Sequence, residues 1–397
     1  MQRRQFMRLT GGGVVLAATT TATTATLGGC KLFEPPPAAL AAWQGPPAQA
    51  ELRHWMLAHA LLAPNPHNRQ PWLADLSLPG QITLRLDPDR LLPATDPYGR
   101  QILMGAGAFL ELLVMAAAAR GQRAELSLFP QGEPAERLEA RPDLPFATVR
   151  LLPDASVRPD PLFAQVFKRR TDRRNYDPAR APSEAELQRL REAASPLPLR
   201  FGVASAADGS RLAAIQAIAR EAWRTELTTE PQMMESMRLL RVGADEIDQH
   251  RDGIAITSPM LVLLKQVGLL DRSQFPAADS QAVTSQIKNF DAITASTPAY
   301  FWLISEGNRR GQQIDAGRAH VRVNLAATAA GLAVHPNEQA LQEYAAVAAH
   351  YQAIHALLEA PAPRFTVQML ARLGHPPSGA SSLDPAPRRG MARQFKL

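Results

Sequence analysis

Hydrophobic and polar positions follow two repeating patterns along the chain, and these patterns predict helices and strands in mixed order. Ile82, Leu84 and Leu86 alternate with polar residues, as in a strand that has one buried face. The predicted helices are 50–62, 106–121, 183–194, 315–331 and 338–358, and the predicted strands are 81–86, 125–129, 147–152, 199–203, 299–304 and 366–370. Helices and strands that intermix in this way predict an α+β or α/β class.

Two of the predicted helices share a spacing of small residues. Gly107 is followed fourteen residues later by Gly121, and Gly317 is followed fourteen residues later by Gly331. Paired alanines occupy matching positions between the two glycines of each helix. This weak repeat indicates two fused copies of one unit, although two buried Ala-rich helices that converged would show the same pattern.

Composition and charge narrow the classes of function. The chain of 397 residues is 46% hydrophobic and 20% charged, which is ordinary for a globular protein. Its net charge of +6 suggests an anionic ligand or surface, but no basic run is interleaved with aromatic residues, so nucleic-acid binding is not predicted. Cys30 is the only cysteine, and His350 and His355 lack zinc-site spacing, so we predict neither a disulfide nor a metal site.

The N-terminus has the features of an export signal. The paired Arg3-Arg4, followed by an aromatic and a basic residue, resembles a twin-arginine signal. Residues 11–27 are only weakly apolar and too short to form a stable membrane span. Leu27-Gly28-Gly29-Cys30 then resembles the lipobox of a lipoprotein. We therefore predict that 1–30 is a signal peptide.

An export signal of this kind implies particular partners and a location. The twin-arginine translocase would carry the folded chain into the periplasm or cell envelope. A lipid on Cys30 would attach the protein to a membrane surface without crossing the bilayer. The alternative is a plain exported protein that is cut nearby. Residues 31–49 are rich in proline and predict a linker.

The segment from Pro64 to Trp72 is the first candidate for chemistry. Its prolines and asparagines predict a rigid loop that presents backbone and side-chain amides. Such a loop could form hydrogen bonds with a planar heteroaromatic ring. The alternative is a structural turn with Trp72 buried beneath it.

The second candidate is the densest basic run, 168–176. Arg169, Thr171 and Arg173 alternate, so an extended backbone would place them on one face. Two guanidinium groups and a hydroxyl suit a phosphate, because forked donors match its oxygens. The alternative is a solvated charged turn.

Together these segments resemble a known family. Pro64-x-x-x-Asn68-x-Gln70-Pro71-Trp72 resembles the Pro-Ser-x-x-Asn-x-Gln-Pro-Trp signature of FMN-dependent nitroreductases. The run that begins at Arg169 resembles that family's Arg-x-Ser-x-Arg/Lys-x-Phe phosphate motif, with threonine in place of serine. The helix that ends at Gly331-Leu332 resembles the family's central helix. The whole is closest to the Acg-type members, in which two nitroreductase-like halves share one chain.

The resemblance implies a fold and a domain organisation. The implied class is α+β, a nitroreductase-like fold with two pseudo-repeated halves, each a mainly antiparallel sheet packed with helices. The halves would span 50–160 and 161–397. Residues 225–290 are an insertion that could cover the site as a lid, or form ordinary helical core. A chain that carries both halves satisfies its own interface and could be monomeric, but the oligomeric state stays open.

The resemblance also implies one composite site and one lost site. The first half keeps the ring loop, the second half keeps the arginine motif, and the second half's own loop is reduced to Ser195-Pro196-Leu197-Pro198. Arg169, Thr171 and Arg173 would hold the FMN phosphate and ribityl chain. The implied ring contacts are Pro64, Asn65, Pro66 and Asn68. The residues implied near the reactive edge are Val334 and His335, and Arg388 or Arg389 is the candidate for an additional phosphate ligand.

The implied activity is flavin-mediated reduction of nitroaromatics or quinones, with NAD(P)H or another electron donor. No general acid or base is expected, because the redox chemistry belongs to the flavin. Two alternatives stay open. One is an exported protein that binds or sequesters flavin without turnover, and the other is an envelope scaffold in which both sites are lost.

Overall fold

The computed structural model describes residues 32–134, 137–138 and 143–395. The predicted signal peptide, including Cys30, lies outside these residues. The first half contains helices α1 (Pro37–Leu40), α2 (Leu52–Ala60) and α3 (Arg100–Ala118), and strands β1 (Trp72–Asp75), β2 (Gln81–Leu86), β3 (Gln122–Leu128) and β4 (Ala147–Pro153). The four strands form one antiparallel sheet in the order β1-β2-β4-β3.

The helices and strands of the second half follow the basic run, which belongs to this half. Its helices are α4 (Glu184–Ala194), α5 (Gly209–Thr228), α6 (Glu230–Arg238), α7 (Gly243–His250), α8 (Pro259–Gln266), α9 (Gln281–Ala295), α10 (Arg310–Ala329), α11 (Ala348–Leu357) and α12 (Met391–Gln394). Its strands are β5 (Arg200–Ser205), β6 (Leu240–Val242), β7 (Ile254–Ile256), β8 (Ala299–Glu306), β9 (Ala333–Pro336) and β10 (Phe365–Gly374). Strands β5, β8, β10 and β9 form a second antiparallel sheet in that order, and β6 pairs with β7 in parallel.

The two sheets have the same topology. In each half a helix precedes an edge strand, a second strand leads into a long helix, and two further strands complete the sheet. Strands β1, β2, β4 and β3 thus correspond to β5, β8, β10 and β9, and helix α3 corresponds to α10. This correspondence confirms the predicted α+β class with two pseudo-repeated halves.

Helices α3 and α10 pack against each other at the centre of the molecule. Gly107 faces the backbone of Ile314, and Gly317 faces the backbone of Met104, so each contact leaves no space for a Cβ atom. In each case the facing backbone lies three residues before the partner helix's own glycine. The repeat of small residues therefore has a packing cause, because only glycine permits so close an approach.

Ion pairs and burial also hold this central helix pair. Arg318 and Arg322 of α10 donate to the buried carboxylate of Glu111 in α3, at 2.9 and 2.7 Å. Within the described residues, α3 is the helix long and apolar enough to cross a bilayer, but 83% of its most apolar stretch is buried inside the protein. It is placed as the core helix of the fold.

Three predicted helices have wrong boundaries. Helix α10 begins at Arg310 and not at 315, and the Gln312 side chain accepts the backbone N–H of Arg309 and caps the start of the helix. Helix α3 begins at Arg100 and not at 106, because the Asp96 carboxylate accepts hydrogen bonds from the backbone of Gln101 and Ile102.

The helix predicted for 338–358 is reduced to α11, and 338–347 instead forms two short 3-10 turns, Gln339–Leu341 and Ala345–Val347. The Glu338 carboxylate, just before the first turn, accepts the backbone N–H of Leu370 in the neighbouring strand β10 and ties this stretch to the sheet.

Two segments outside the repeated scaffold lie close to the region between the halves. The connection from β5 to β8, residues 206–298, contains helices α5 to α9 and includes the whole predicted insertion 225–290; the whole connection is called the insertion below. The segment predicted as a linker instead folds over 37–44, where Trp43 is buried and its Nε1–H donates to Ala386 O at 2.9 Å. The C-terminal segment is therefore held against the N-terminal one.

Candidate functional site

A cavity of about 710 Å³ lies between the two halves. Its wall joins the loop before β1, the basic run, the end of β9, helices of the insertion and the C-terminal segment. The predicted site residues that line it are Pro64, Asn65, Pro66, Asn68, Arg169, Thr171, Arg173, His335 and Arg388. The structure thus brings together residues that the sequence places in separate halves.

Arg169 presents a free donor to this cavity. Its side chain is 3% exposed, and one terminal nitrogen, Nη2, donates to Leu62 O at 3.2 Å. The other, Nη1, is buried without any hydrogen-bond partner in the described part of the chain. Burial, together with the charge of Arg170, lowers the pKa of Arg169 to about 10. A buried cationic donor without a partner is costly, so the site favours an anion.

Arg173 and Thr171 line the same cavity one residue apart on the extended run. Among the residues that the structure describes, Arg173 forms no ion pair. Its side chain remains open to solvent within the cavity, while surrounding protein lowers its pKa through desolvation. Asp172, between them, points elsewhere and pairs with Arg174 at 2.8 Å. As the alternation in the sequence predicts, the Arg173 guanidinium group and the Asp172 carboxylate lie on different sides of the backbone, so this carboxylate does not pair with Arg173.

Arg388 lines the cavity, but its donors are already used. Its Nε donates to Leu61 O at 2.8 Å, and Nη2 donates to the carbonyls of Leu62 and Ala63, each at 3.2 Å. Its Nη1 donates to Asn68 Oδ1 at 2.8 Å and to a carbonyl of its own segment. A guanidinium group has five N–H donors, so Arg388 offers charge and holds the end of α2, and has no hydrogen bond left for a phosphate.

Arg389, the alternative to Arg388, does not line the cavity and is a correction to the sequence-based site. Its backbone N–H donates to Gln70 Oε1 at 3.0 Å. Its side chain donates to Gln394 Oε1 and to Arg393 O, in and beside helix α12. The two adjacent arginines therefore point to opposite sides of the C-terminal segment.

The loop before β1 is shaped by its own asparagines. Asn65 donates to Ala63 O at 3.1 Å and accepts the backbone N–H of Gln70 at 2.8 Å. Asn68 donates to Pro387 O at 2.9 Å and accepts from Arg388. Both side-chain amides are thus occupied in holding the loop. Backbone groups and proline rings of the loop remain available to contact a bound aromatic ring. That the loop makes such a contact stays a prediction.

The two site residues predicted in β9 lie in different surroundings, Val334 in the core and His335 at the cavity. Val334 is 1% exposed and packs in the second-half core, and its carbonyl accepts the backbone N–H of Asp172 at 3.1 Å. It holds the basic run in place and does not line the cavity, which corrects its predicted position. His335 does line the cavity, with Nδ1 3.1 Å from Nη1 of Arg372. Burial and the charges of Arg173 and Arg372 hold its pKa well below the usual range, so the ring is neutral.

The insertion contributes a buried carboxyl group to the cavity wall. Glu226 of α5 is 4% exposed and accepts a hydrogen bond from Gln342 Nε2 at 3.1 Å. Burial raises its pKa from 4.5 to about 7, despite the hydrogen bonds that favour its charged form. The sequence analysis did not identify this residue, because nothing in its local pattern distinguishes it from other glutamates on a helix.

Further residues of the wall were also not identified from the sequence. Trp43 lies beneath the guanidinium groups of Arg170 and Arg388, at 4.6 and 5.2 Å from its ring centre. His320 of α10 has a buried Nδ1 without a partner in the described residues, and burial beside Arg169 lowers its pKa to about 3. Only the position of Trp43 beside a proline run could have drawn attention to it.

The cavity wall combines cationic and apolar side chains. The basic run supplies unpaired positive charge, and the apolar lining residues, from α3 and the insertion, include Met104, Trp223, Met233, Ile254 and Phe290. A cavity of this size and composition fits a medium-sized organic ligand with an anionic end. No cluster of His, Cys, Asp and Glu that could hold a metal occurs in the described residues, and the absence of a metal site stays a prediction.

Comparisons with known proteins agree with the motifs. No protein-family model matches the chain. The chain is 29% identical over 354 residues to a Mycobacterium tuberculosis H37Rv protein named "Putative NAD(P)H nitroreductase Rv3131", an alignment that covers 87% of this chain and 91% of the relative. It is 44% identical over 71 residues to "Putative NAD(P)H nitroreductase acg" of the same organism, covering 18% of this chain and 21% of that relative. The chain is a homologue of these proteins, which confirms the resemblance.

Solved structures give a weaker similarity. The FMN-dependent nitroreductase NfnB from Mycobacterium smegmatis, in complex with NADPH, is 18% identical with a TM-score of 0.36 and covers 57% of this chain and 92% of its own. An oxidised iodotyrosine deiodinase bound to FMN and 3-iodo-L-tyrosine is 14% identical with a TM-score of 0.35, and covers 58% of this chain and 96% of its own.

Proposed function

We propose that the chain is an FMN-binding oxidoreductase of the nitroreductase type, with one flavin in the cavity between its halves. The observation that carries the proposal is Arg169, a buried guanidinium group whose Nη1 has no partner in the described residues and lines a cavity shared by both halves. The mycobacterial relatives are named nitroreductases, and this supports the same class for the present chain.

The residues of the cavity fit a phosphorylated flavin. Arg169 and Arg173 supply donors without a competing carboxylate, and Thr171 supplies a hydroxyl between them. The first-half loop, with Pro64 and Pro66, supplies a rigid apolar surface for a ring. Gly105 of α3 permits this loop to approach, because a Cβ there would lie 3.0 Å from Asn65 Cβ. Each half thus contributes a different part of one binding site.

The bound cofactor would supply the redox chemistry, by accepting and passing on a hydride. The chain's own residues bind the phosphate, orient the ring and place positive charge nearby. We propose nitroaromatics or quinones as acceptors and NAD(P)H as one donor, since the relatives carry NAD(P)H in their names. An exported chain would be separated from cytoplasmic NAD(P)H, and another donor would then reduce it.

The test of this function has two measurements on the purified protein. The visible spectrum after addition of FMN and removal of excess cofactor should show bound oxidised flavin. Turnover of a quinone and of nitrofurazone with NADPH, or after chemical reduction of the flavin, should then follow. A protein that stays colourless after incubation with FMN would refute the proposal.

A second candidate is a flavin-binding protein without turnover. The observation that favours it is the insertion, whose residues Trp223, Met233, Met237 and Leu240 wall the cavity and could close a bound ring off from substrates. Protein that holds FMN but whose chemically reduced flavin is not reoxidised by any quinone or nitro compound would support this role over the enzymatic one.

We also propose that the chain is exported, attached to a membrane by a lipid on Cys30, and active as a monomer. The N-terminal motif of Arg3 and Arg4 and the residues before Cys30 support this location. Replacing both arginines by lysine should retain the protein in the cytoplasm, whereas Cys30→Ser should release it from the membrane fraction into the periplasm. Gel filtration at several concentrations tests the monomer.

A further inference from the structure

A chain of hydrogen-bonding side chains crosses the cavity wall from the insertion to the first-half loop. Ser236 of α6 has its Oγ 3.3 Å from Glu226 Oε1 and 3.2 Å from Nε2 of His67. All three residues line the cavity. The opposite ring nitrogen of His67, Nδ1, is buried and has no partner in the part of the chain that the structure describes.

We propose that Glu226, Ser236 and His67 form a proton relay that ends at His67 Nδ1 and protonates an oxygen of the acceptor bound in the cavity. The proposal rests on the proposed function, and it adds a general acid where the sequence motifs indicate none. The acceptor class is one whose reduction takes up a hydride and a proton, such as a quinone or a nitro compound.

The chemistry of the three groups suits a relay. A serine hydroxyl both donates and accepts, so Ser236 can pass a proton in either direction. Burial and the charges of Arg173 and Arg69 lower the pKa of His67 to about 4, which keeps its imidazole neutral. A neutral imidazole relays a proton by accepting at one nitrogen and donating from the other. Glu226 is the group that can hold the proton near neutral pH.

Each proton transfer balances. His67 gives its Nδ1 proton to the acceptor oxygen as the acceptor receives a hydride from the reduced cofactor. Ser236 gives its hydroxyl proton to His67 Nε2 and takes the carboxyl proton of Glu226. These transfers leave the His67 proton on Nε2. Reprotonation of the Glu226 carboxylate from solvent and exchange of the His67 proton from Nε2 to Nδ1 restore the starting state before the next turnover. A quinone becomes a hydroquinone, and a nitro group becomes a nitroso group with release of water.

The neighbours of Glu226 favour its protonated form. Glu235 of α6 adds negative charge nearby and raises the pKa of Glu226 further. Tyr344 also faces this carboxyl group, and its own pKa is raised to a value at which it stays neutral throughout the physiological range. Gln342 and Ser236 donate to the carboxylate form and oppose the rise. Among the described residues no cation pairs with Glu226, so the proton is available for transfer.

The first test follows reoxidation of the holoprotein. FMN-loaded protein is reduced with dithionite and mixed without oxygen with 1,4-naphthoquinone, with nitrofurazone or with ferricyanide. Glu226→Gln should slow reoxidation by the first two about tenfold or more below neutral pH, and Ser236→Ala should act similarly. Ferricyanide takes electrons without protons, so its rate should be unchanged. Glu221→Gln, an exposed change on the same helix, should behave as wild type with all three.

The second test does not depend on turnover. Infrared difference spectra between wild type and Glu226→Gln, recorded across pH, should show a carboxyl group that loses its proton near pH 7. The quinone rate of wild type should fall over the same interval, and the rate of the variant should not. Equal naphthoquinone rates for wild type and Glu226→Gln, in proteins with equal bound flavin, would overturn the relay while leaving the proposed function intact. Protein that binds no flavin would instead refute the proposed function.

Discussion

The two halves of the chain share a scaffold and differ in several connections, two of which contribute to the cavity wall in one half only. The loop between the first helix and the first edge strand covers 61–71 in the first half, but only 195–199 in the second. The connection between the first two strands is 76–80 in the first half and 206–298 in the second. The sheets, their strand order and the central helices are the same.

The comparison shows how a duplicated fold can hold one specialised site. The central helices are fixed by reciprocal glycine contacts, so the relative position of the halves does not depend on either loop. One half can then lose its loop and gain an insertion, while the other keeps the loop. The cavity forms where the intact loop of one half meets the arginines and insertion of the other.

The largest effect is expected from removing the second half's unpaired arginines. Each charge-assisted hydrogen bond contributes about 1.5–3 kcal/mol, so Arg169→Ala combined with Arg173→Ala should weaken FMN binding by about 100-fold or more. Titration of the apoprotein with FMN, followed by flavin fluorescence, measures the loss. The matched control replaces Arg123 and Arg150 by alanine, which are exposed arginines on first-half strands. Equal affinity of the two double variants would contradict the assignment of the site to the second-half arginines.

A smaller effect is expected from the insertion, which only the second half contains. Glu226 has an ordinary pKa of 4.5 and a folded-state pKa of about 7. Between these values the folded chain keeps a proton that the unfolded chain releases, so this group's stabilisation is lost as pH rises from 4.5 through 7. At about 1.4 kcal/mol per pKa unit the loss amounts to about 3 to 4 kcal/mol above neutral pH.

Glu226→Gln should remove this dependence. Urea unfolding at several pH values should give a free-energy difference between wild type and variant that shifts in favour of the variant as pH rises. The difference is needed because burial also raises the pKa of Glu338, so wild type has more than one group of this kind. A difference that is constant from about pH 5 to 8 would show that Glu226 is not buried as a neutral acid.

Much of the shared scaffold could be predicted from sequence periodicity. Strand β2 was predicted with its observed bounds, since Ile82, Leu84 and Leu86 alternate, and each is buried in the sheet. Strand β1 was missed because four residues are too few to show a period. The 3-10 turns after Glu338 were predicted as an α-helix because their apolar residues fit a helical spacing, and the partner of Glu338, Leu370, lies on a strand distant in the sequence.

The site was only partly predictable, for a related reason. The motifs identified Arg169, Arg173 and the loop, since their residue types suit an anion and a ring locally. No local pattern shows that Arg388 donates its N–H groups to the backbone carbonyls that follow α2, because these carbonyls lie more than 300 residues earlier in the sequence. The same holds for His67 and Glu226, which meet only through tertiary packing.

The equivalence of the two central helices can be tested with paired substitutions. A Cβ at Gly107 or at Gly317 would meet the partner helix's backbone, which cannot move away independently. Overpacking of this kind costs about 1–3 kcal/mol, and Gly107→Ala and Gly317→Ala should lower the free energy of unfolding by similar amounts. Gly209→Ala, in a helix position with open space around it, should leave stability unchanged or slightly higher. A strong effect from only one of these two substitutions would show that the two central helices are not equivalent.

The smallest effect is expected at α2 and α4, the helices that precede the edge strands β1 and β5. The N-termini of these two helices are capped in different ways. Helix α4 begins with a capping box, in which Ser183 accepts the backbone N–H of Glu186 and the Glu186 carboxylate accepts that of Ser183. Helix α2 begins with Glu51, whose side chain accepts two backbone N–H groups.

Loss of a serine cap costs about 1 kcal/mol when alanine replaces it and only a few tenths when glycine does. Ser183→Ala should therefore lower the free energy of urea unfolding by about that amount and Ser183→Gly by less, with FMN affinity unchanged in both because α4 lies outside the cavity wall. If Ser183→Ala weakened FMN binding as well, the start of α4 would be coupled to the basic run, and the scaffold would be less independent of the site than the comparison of the halves indicates.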